Sequence, residues 1–152
     1  MGIRVNGKTI VEVYRNEIKA IIKDGINRGF RAPSIKTILV GSDGGSLSYV
    51  KSQNNLCDKL GISYTCIQLE KDTSQKDIID IIEKFNEDIS VDGIIIQLPL
   101  PKSLNEKEIT SKISYKKDID GLTDVNMGRF YKGEKSFIQI GRAHVWTPVT
   151  YT

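Results

Sequence analysis

The sequence has few of the residues on which disulfide-rich, zinc-binding and membrane proteins depend. It contains two cysteines, one histidine and no run of about 18 apolar residues. Cys57 and Cys66 match neither a zinc-ligand spacing nor a redox C-x-x-C motif. The first residues also lack the apolar stretch of a signal peptide. We therefore expect reduced, partly buried thiols in a cytoplasmic protein, with no metal site and no contact with a membrane.

Charge of one sign is not concentrated anywhere in the chain. The 22 basic and 19 acidic residues are interspersed and leave a net charge of +3. Nucleic-acid and anionic-membrane binding usually require a block of lysine and arginine. We expect neither partner and favour a small molecule or another protein. The length of 152 residues, 39% of them hydrophobic, suits one globular domain.

The last residues differ in character from the rest. The segment from Gln139 to Thr152 holds the only histidine, His144, and the only tryptophan, Trp146. It resembles the translation of a DNA-sequencing adapter, so we predict a domain over residues 1–138 followed by a non-native tail over 139–152. His144 is then no catalytic candidate. The alternative is a genuine terminal strand, because this stretch has some β character.

Helical and strand patterns alternate along the rest of the chain. Apolar residues recur at helical spacing in four segments: 10–22, 46–60, 76–85 and, more weakly, 105–113. Short β-branched or alternating runs predict three strands: 35–40, 62–69 and 91–97. This order predicts an α/β fold of three layers (α/β/α), in which a mostly parallel sheet has helices on both faces. In such folds ligands bind at the carboxyl ends of the strands.

Polar groups gather just beyond the predicted strands. Tyr49 and Gln53 are four residues apart, so they share a helix face; both could equally be ordinary residues of an amphipathic helix. Gln97 ends an apolar strand, where its amide must find hydrogen bonds, either from a ligand or from a loop. The glycine-rich stretch 41–45 is a weak candidate for an anion-binding loop, because it matches no phosphate-binding motif.

Two further segments complete this set. Leu98-Pro99-Leu100-Pro101 is rigid and apolar, which suits one wall of a site for a flat ligand, although a plain strand exit looks similar. Asp118 and Asp120 place two carboxylates before Gly121. A turn or a helix cap accounts for most such Asp-Gly pairs.

Several of these segments together resemble one family. They are Gly7-Lys8, Ile38-Leu39-Val40-Gly41 with Ser46-x-x-Tyr49, Asp92-Gly93-Ile94-Ile95-Ile96-Gln97-Leu98-Pro99-Leu100-Pro101, and Lys117-Asp118-Ile119-Asp120-Gly121-Leu122-Thr123-x-x-Asn126-x-Gly128-Arg129. In this order and at this spacing they are similar to the methylenetetrahydrofolate dehydrogenase/methenyltetrahydrofolate cyclohydrolase family. The resemblance covers nearly all of residues 1–138.

The resemblance implies a folate-binding catalytic domain whose substrates are tetrahydrofolate derivatives. It implies oxidation of methylenetetrahydrofolate with NADP or NAD, then hydrolysis of the methenyl product. By the same resemblance Tyr49 lines the pterin site, Gln97 supports the catalytic lysine, and Asp120 binds the pterin ring. Residues Leu98, Pro99, Leu100 and Pro101 wall the pocket. The catalytic set expected here is therefore Tyr49, Gln53, Gln97 and Asp120.

The sequence departs from the family pattern in two ways. Gln53 stands where the family has its catalytic lysine, and an amide cannot exchange a proton near neutral pH, so we expect doubtful cyclohydrolase activity. Lys51 lies on another face of the helix and is a poor substitute. The family also continues into an NADP-binding Rossmann domain, which is missing here. We expect no cofactor site in this fragment, no activity of the fragment alone, and a homodimer in the full-length parent.

Two other functions remain open from the residues. The chain could be a flavodoxin-like module that binds a small ligand at the loop 41–49 without catalysis. It could also bind a partner protein through the isoleucine-rich helix 76–85, although the apolar face of such a helix is more often core.

Overall fold

A computed structural model describes residues 7–137 of the chain. These residues form five helices and three strands, in the order α1 (Gly7–Asn27), β1 (Ser34–Val40), α2 (Gly44–Leu60), β2 (Ser63–Leu69), α3 (Gln75–Glu87), β3 (Gly93–Ile96), α4 (Glu106–Ser111) and α5 (Asp124–Tyr131). The predicted elements are confirmed, although β3 is shorter than predicted and α5 was not predicted as a separate helix. The proposed tail and His144 lie outside the described residues.

The three strands form one parallel sheet with β1 in the centre. The strand order is β2-β1-β3, and β1 pairs in parallel with both neighbours. The register aligns Thr37 with Cys66 on one side and with Ile95 on the other. Since aligned residues of parallel strands point to the same side, Thr37, Cys66 and Ile95 share one face of the sheet. The carboxyl ends of all three strands meet at one edge.

Helices cover both faces of this sheet, which confirms the predicted α/β fold. One face of the sheet packs with α3 and α4 to form the main hydrophobic core. The buried residues of this core include Ile38, Val40, Ile94, Ile96, Ile78, Ile82 and Ile109. Ile78 and Ile82 belong to α3 and are fully buried. The apolar face of α3 is thus core, which removes the basis for the partner-binding interpretation of this helix.

The opposite face meets α2, whose ends are fixed by local chemistry. The Asp43 carboxylate accepts the Ser46 backbone N–H as an N-cap, and Gly61 ends the helix with a φ of 81°, a left-handed conformation that glycine adopts without strain. The buried residues of α2 are Ser46, Val50, Cys57 and Leu60. Their spacing makes one stripe that faces the sheet.

The other end of the sheet is held by Asp92, just before β3. Its carboxylate accepts the Ser34 backbone N–H at 2.8 Å and two guanidinium hydrogen bonds from Arg31 at 2.6 and 2.9 Å. The Arg31 guanidinium lowers the pKa of Asp92. This cluster ties the start of β1 to the start of β3.

Gly93 is required by a close approach inside the sheet. A Cβ at this position would lie 2.9 Å from Cγ2 of Ile119, which is closer than real side chains pack. The contact arises because residues 117–118 run beside β3: Ile94 N donates to Lys117 O at 2.8 Å, and Ile94 forms a parallel bridge with Asp118. Gly93 therefore sets the distance between β3 and the segment that precedes Asp120.

We predict that Gly93→Ala lowers the free energy of unfolding by about 1–3 kcal/mol, because Ile119 and its backbone must move. Urea unfolding of the 152-residue chain measures the change. Gly25→Ala is the matched control, since nothing lies within 4 Å of its Cβ position inside α1. There the helix propensity of alanine should leave stability unchanged or higher. Equal effects of the two substitutions would show that the Ile119 contact imposes no constraint.

Candidate functional site

The first turn of α2 follows the carboxyl end of β1, but it is not a vacant anion site. The Asp43 carboxylate accepts the Ser46 N–H at 2.9 Å and so occupies the place that a phosphate would take. This hydrogen bond lowers the pKa of Asp43. The arrangement agrees with the weak anion-binding signal of the sequence. It also argues against a flavodoxin-like ligand loop at 41–49.

Tyr49 and Gln53 follow on α2 at different depths. Tyr49 is 51% exposed, whereas Gln53 is half-buried between Val50 and Cys57 in the stripe that faces the sheet. The Tyr64 hydroxyl of β2 donates a hydrogen bond of 2.8 Å to Gln53 Oε1. Lys51 is exposed, in keeping with its predicted place on another face of the helix.

Tyr64 was not among the residues singled out from the sequence. Burial raises its pKa to about 12, and the Thr37 hydroxyl opposes this shift. Thr37 is fully buried, and within residues 7–137 its Oγ1 makes no hydrogen bond. The alternation of residues 62–69 would have placed Tyr64 on the inner face, but it gave no sign of a polar partner.

The two thiols flank this cluster. Cys57 is buried on α2 and Cys66 is half-buried on β2, and both are free, as predicted. Burial raises the pKa of each thiol. Since the thiolate is the reactive form, neither cysteine is an activated nucleophile. After burial, charge interaction with these two cysteines also raises the pKa of Tyr64.

Gln97 stands directly beyond β3. Its backbone N–H donates to Ile38 O at 2.9 Å and extends the pairing of β3 with β1. Gln97 is two residues after Ile95, so it points to the same face of the sheet as Thr37 and α2. Its side-chain Nε2 donates to Leu98 O at 2.9 Å. The side-chain amide thus makes a hydrogen bond with the loop that follows. Of the two alternatives from sequence, a ligand or a loop, this is the simpler one.

The apolar segment after Gln97 divides between the core and the surface. Leu100 is buried in the main core, and Leu98 packs against that core. Pro99 is exposed and Pro101 is half-buried, and the Leu98–Pro99 peptide bond is cis. Of the four predicted wall residues, only the two prolines lie outside the core cluster.

Asp118 and Asp120 have different roles. Asp118 is buried, and its carboxylate accepts hydrogen bonds from Leu122 N at 3.0 Å, Thr123 N at 2.8 Å and Asn126 Nδ2 at 2.9 Å. It therefore holds the turn together and positions the start of α5. Asp120 is half-buried within that turn. Asp118 is the structural member of the pair.

Asn126 is a second structural residue that sequence reasoning left without a role. It is 1% exposed, and its Nδ2 also donates to Tyr115 O at 2.9 Å. The Arg129 guanidinium lies 4.5 Å from the centroid of the Tyr115 ring, a cation–π contact. Within residues 7–137 no cluster of His, Cys, Asp and Glu could hold a metal ion, and no helix is long and apolar enough to span a membrane.

We predict that Asp118→Asn lowers the free energy of unfolding by about 2–3 kcal/mol, because an amide places N–H groups against the backbone donors of Leu122 and Thr123. Urea unfolding of the 152-residue chain measures the loss. Asp124→Asn is the control, since Asp124 is exposed in the first turn of α5. A loss below about 0.5 kcal/mol for Asp118→Asn would contradict the role of Asp118 in the turn.

Comparison with known proteins identifies the family that this chain matches. The model for the catalytic domain of tetrahydrofolate dehydrogenase/cyclohydrolase matches residues 5–120. The bifunctional protein FolD of Clostridium tetani is 47% identical over 138 residues, which are 91% of this chain and 50% of that protein. The FolD of Clostridium botulinum strain Alaska E43 is 46% identical over 138 residues, 91% of this chain and 49% of that protein. The chain thus spans about half the length of these relatives.

Solved structures agree with the sequence match. A 5,10-methylenetetrahydrofolate dehydrogenase from the silkworm Bombyx mori superposes with a TM-score of 0.89 at 32% identity, over 95% of this chain and 50% of that one. The bifunctional FolD of Campylobacter jejuni gives a TM-score of 0.83 at 31% identity, over 87% of this chain and 46% of that one. The chain belongs to the tetrahydrofolate dehydrogenase/cyclohydrolase family.

Proposed function

We propose that this chain is the folate-binding catalytic part of an enzyme that oxidises methylenetetrahydrofolate to methenyltetrahydrofolate. The observation that carries the proposal is the family match over residues 5–120, which includes Tyr49, Gln53, Gln97 and Asp120. In support of the proposal, Tyr49 and Gln53 lie on α2, and Gln97 directly follows β3. A flat substrate could therefore meet an aromatic ring and two carboxamides at this site.

The proposed roles combine the resemblance with the contacts. Tyr49 offers an exposed ring against which a pterin can stack. Asp120 accepts hydrogen bonds from pterin ring donors, while Asp118 holds the turn that carries it. Pro99 and Pro101 provide the wall of the pocket, and Leu98 and Leu100 anchor that wall in the core. Gln97 keeps the wall in place through its hydrogen bond to Leu98 O.

A dinucleotide cofactor does not fit the described residues. The only glycine-rich helix start beside a strand end within residues 7–137 is residues 41–46, and there the Asp43 carboxylate occupies the helix N-terminus. A phosphate at that point would meet a negative charge. We therefore propose that NADP or NAD is bound by a Rossmann domain of a full-length parent, and that this parent is a homodimer. Residues 1–138 would be the catalytic domain and 139–152 a non-native tail.

A glutamine at position 53 affects the two expected reactions differently. Hydride transfer depends mainly on holding the substrate in place, and a neutral amide can do that. Hydrolysis of the methenyl product requires a proton to move, which a carboxamide cannot support near neutral pH. We propose a dehydrogenase with weak cyclohydrolase activity. The fragment alone would bind a reduced folate without turning it over.

We predict that Asp120→Ala weakens tetrahydrofolate binding by more than about tenfold, equivalent to about 1.4 kcal/mol. Isothermal titration calorimetry on the 152-residue chain measures the affinity. The control is Asp124→Ala, which removes an exposed carboxylate four residues away and should leave the affinity unchanged. Equal affinity of the Asp120→Ala variant and the unmodified chain would remove Asp120 from the site.

We predict that Gln53→Lys raises cyclohydrolase activity by about one to two orders of magnitude, because it restores a group able to move a proton. The assay requires a chimera in which residues 1–138 replace the matching half of the Clostridium tetani relative. Ser52→Lys is the control, since it adds the same charge on the exposed side of α2. If the Gln53 chimera already hydrolyses methenyltetrahydrofolate as fast as its Lys variant, another group performs the proton transfer.

A further inference from the structure

The Gln53 carboxamide makes one hydrogen bond to another side chain in the described part of the chain, and its oxygen is the acceptor. Its two ends are nearly equal in size but opposite in chemistry, since Oε1 accepts and Nε2 donates. Packing alone does not distinguish them, so the partners set the orientation. Tyr64 Oη donates to Oε1 at 2.8 Å, and Nε2 makes no hydrogen bond within residues 7–137. Nε2 is therefore the end that remains for a ligand.

Tyr64 is suited to this task because it keeps its proton. Burial raises the pKa of Tyr64 to about 12, so the phenol stays a hydroxyl throughout the working pH range. The hydroxyl lies between α2 and the sheet, where Gln53 Oε1 accepts its proton. Thr37, the other polar side chain that acts on this phenol, makes no hydrogen bond with it. In this geometry the Tyr64 hydroxyl donates to Gln53 Oε1.

We propose that Tyr64 is a positioning residue, which holds Oε1 of Gln53 and thereby presents Nε2 to the bound folate as a fixed, neutral hydrogen-bond donor. The proposal rests on the proposed function, which places Gln53 at the folate site. Without the Tyr64 hydroxyl the carboxamide can turn over, and Oε1 then faces an acceptor on the substrate. Such an arrangement offers a donor whose strength does not change with pH, in contrast to an ammonium group.

A double-mutant cycle tests the proposal by calorimetric titration of the 152-residue chain with tetrahydrofolate. The variants are Tyr64→Phe, Gln53→Met and the double substitution, because methionine keeps the length of the side chain without its donor and acceptor. We expect Tyr64→Phe to weaken binding about fivefold when Gln53 is present, as one net hydrogen bond would. In the Gln53→Met background the same change should alter binding less than about twofold.

Two further measurements separate positioning from folding. Tyr131→Phe is the matched control, because Tyr131 is exposed on α5 and should not affect folate binding. The NMR signals of the Gln53 side-chain amide, identified by their loss in Gln53→Met, should shift in Tyr64→Phe and stay in place in Tyr131→Phe. This second measurement requires no folate and reports on the Tyr64–Gln53 hydrogen bond itself.

Each outcome has a distinct meaning. Unchanged amide signals in Tyr64→Phe overturn the hydrogen-bonded pair. Shifted signals with an equal loss of folate affinity in both backgrounds overturn the positioning role but leave the proposed function intact. If the unmodified chain binds no tetrahydrofolate while the amide signals shift, the proposed function fails, and with it the role of Tyr64 towards folate, although the pair is real.

Discussion

The parallel pairing of β1 with a strand on each side determines which side chains of the sheet face the main core and which face α2. Because β1 is aligned with both β2 and β3, a single register decides which residues of three strands share a face. Ile38 and its aligned neighbours are thereby directed to α3 and α4 and form the main core. Thr37, Tyr64 and Gln97 are directed to the side of α2. A shift of the strand pairing by one residue would turn the core-facing side chains towards α2 and the α2-facing side chains towards the core.

The segments beyond the strands contain buried and half-buried polar groups, and two of these groups are satisfied by their own loops. The Asp118 carboxylate receives three hydrogen bonds, and the Gln97 amide donates to the residue that follows it. These contacts shape the two segments that border the proposed pocket. Leaving such a group buried without a partner costs about 1–3 kcal/mol, so these hydrogen bonds favour the observed conformation of the two loops.

The sequence predicted the elements well because their signals are local. The helical spacing of residues 46–60 and the glycine at 61 fixed α2, and the apolar run at 35–40 indicated a central strand. The roles of the polar residues were harder to assign. Asp118 and Asp120 look alike in sequence, and only the folded structure shows that the backbone N–H groups of Leu122 and Thr123 donate to Asp118. The sequence does not predict α5 as a separate helix, because its eight residues carry little periodicity.

The hydrogen bond between Tyr64 and Gln53 is a tertiary contact that local sequence patterns do not predict. Gln53 is eleven residues away from Tyr64 on another element, and the two meet only because α2 packs across β2. The same holds for Ile119 and Gly93, whose contact depends on residues 117–118 running beside β3. Pairings of this kind depend on tertiary packing. They are therefore absent from any window of sequence that predicts a helix or a strand.

The chemistry of the α2–sheet interface favours a neutral group at position 53. Tyr64, Cys57 and Cys66 all have pKa values raised by burial, which keeps the three of them uncharged. In the described part of the chain the ion pairs are formed elsewhere, by exposed side chains. An ammonium group among these neighbours would lose hydration without gaining an opposite charge, and its pKa would fall. A carboxamide avoids that penalty, and its oxygen accepts the Tyr64 proton, which an ammonium group could not do. Gln53 and Tyr64 are thus complementary as a pair, and a neutral carboxamide suits the interface in which it lies.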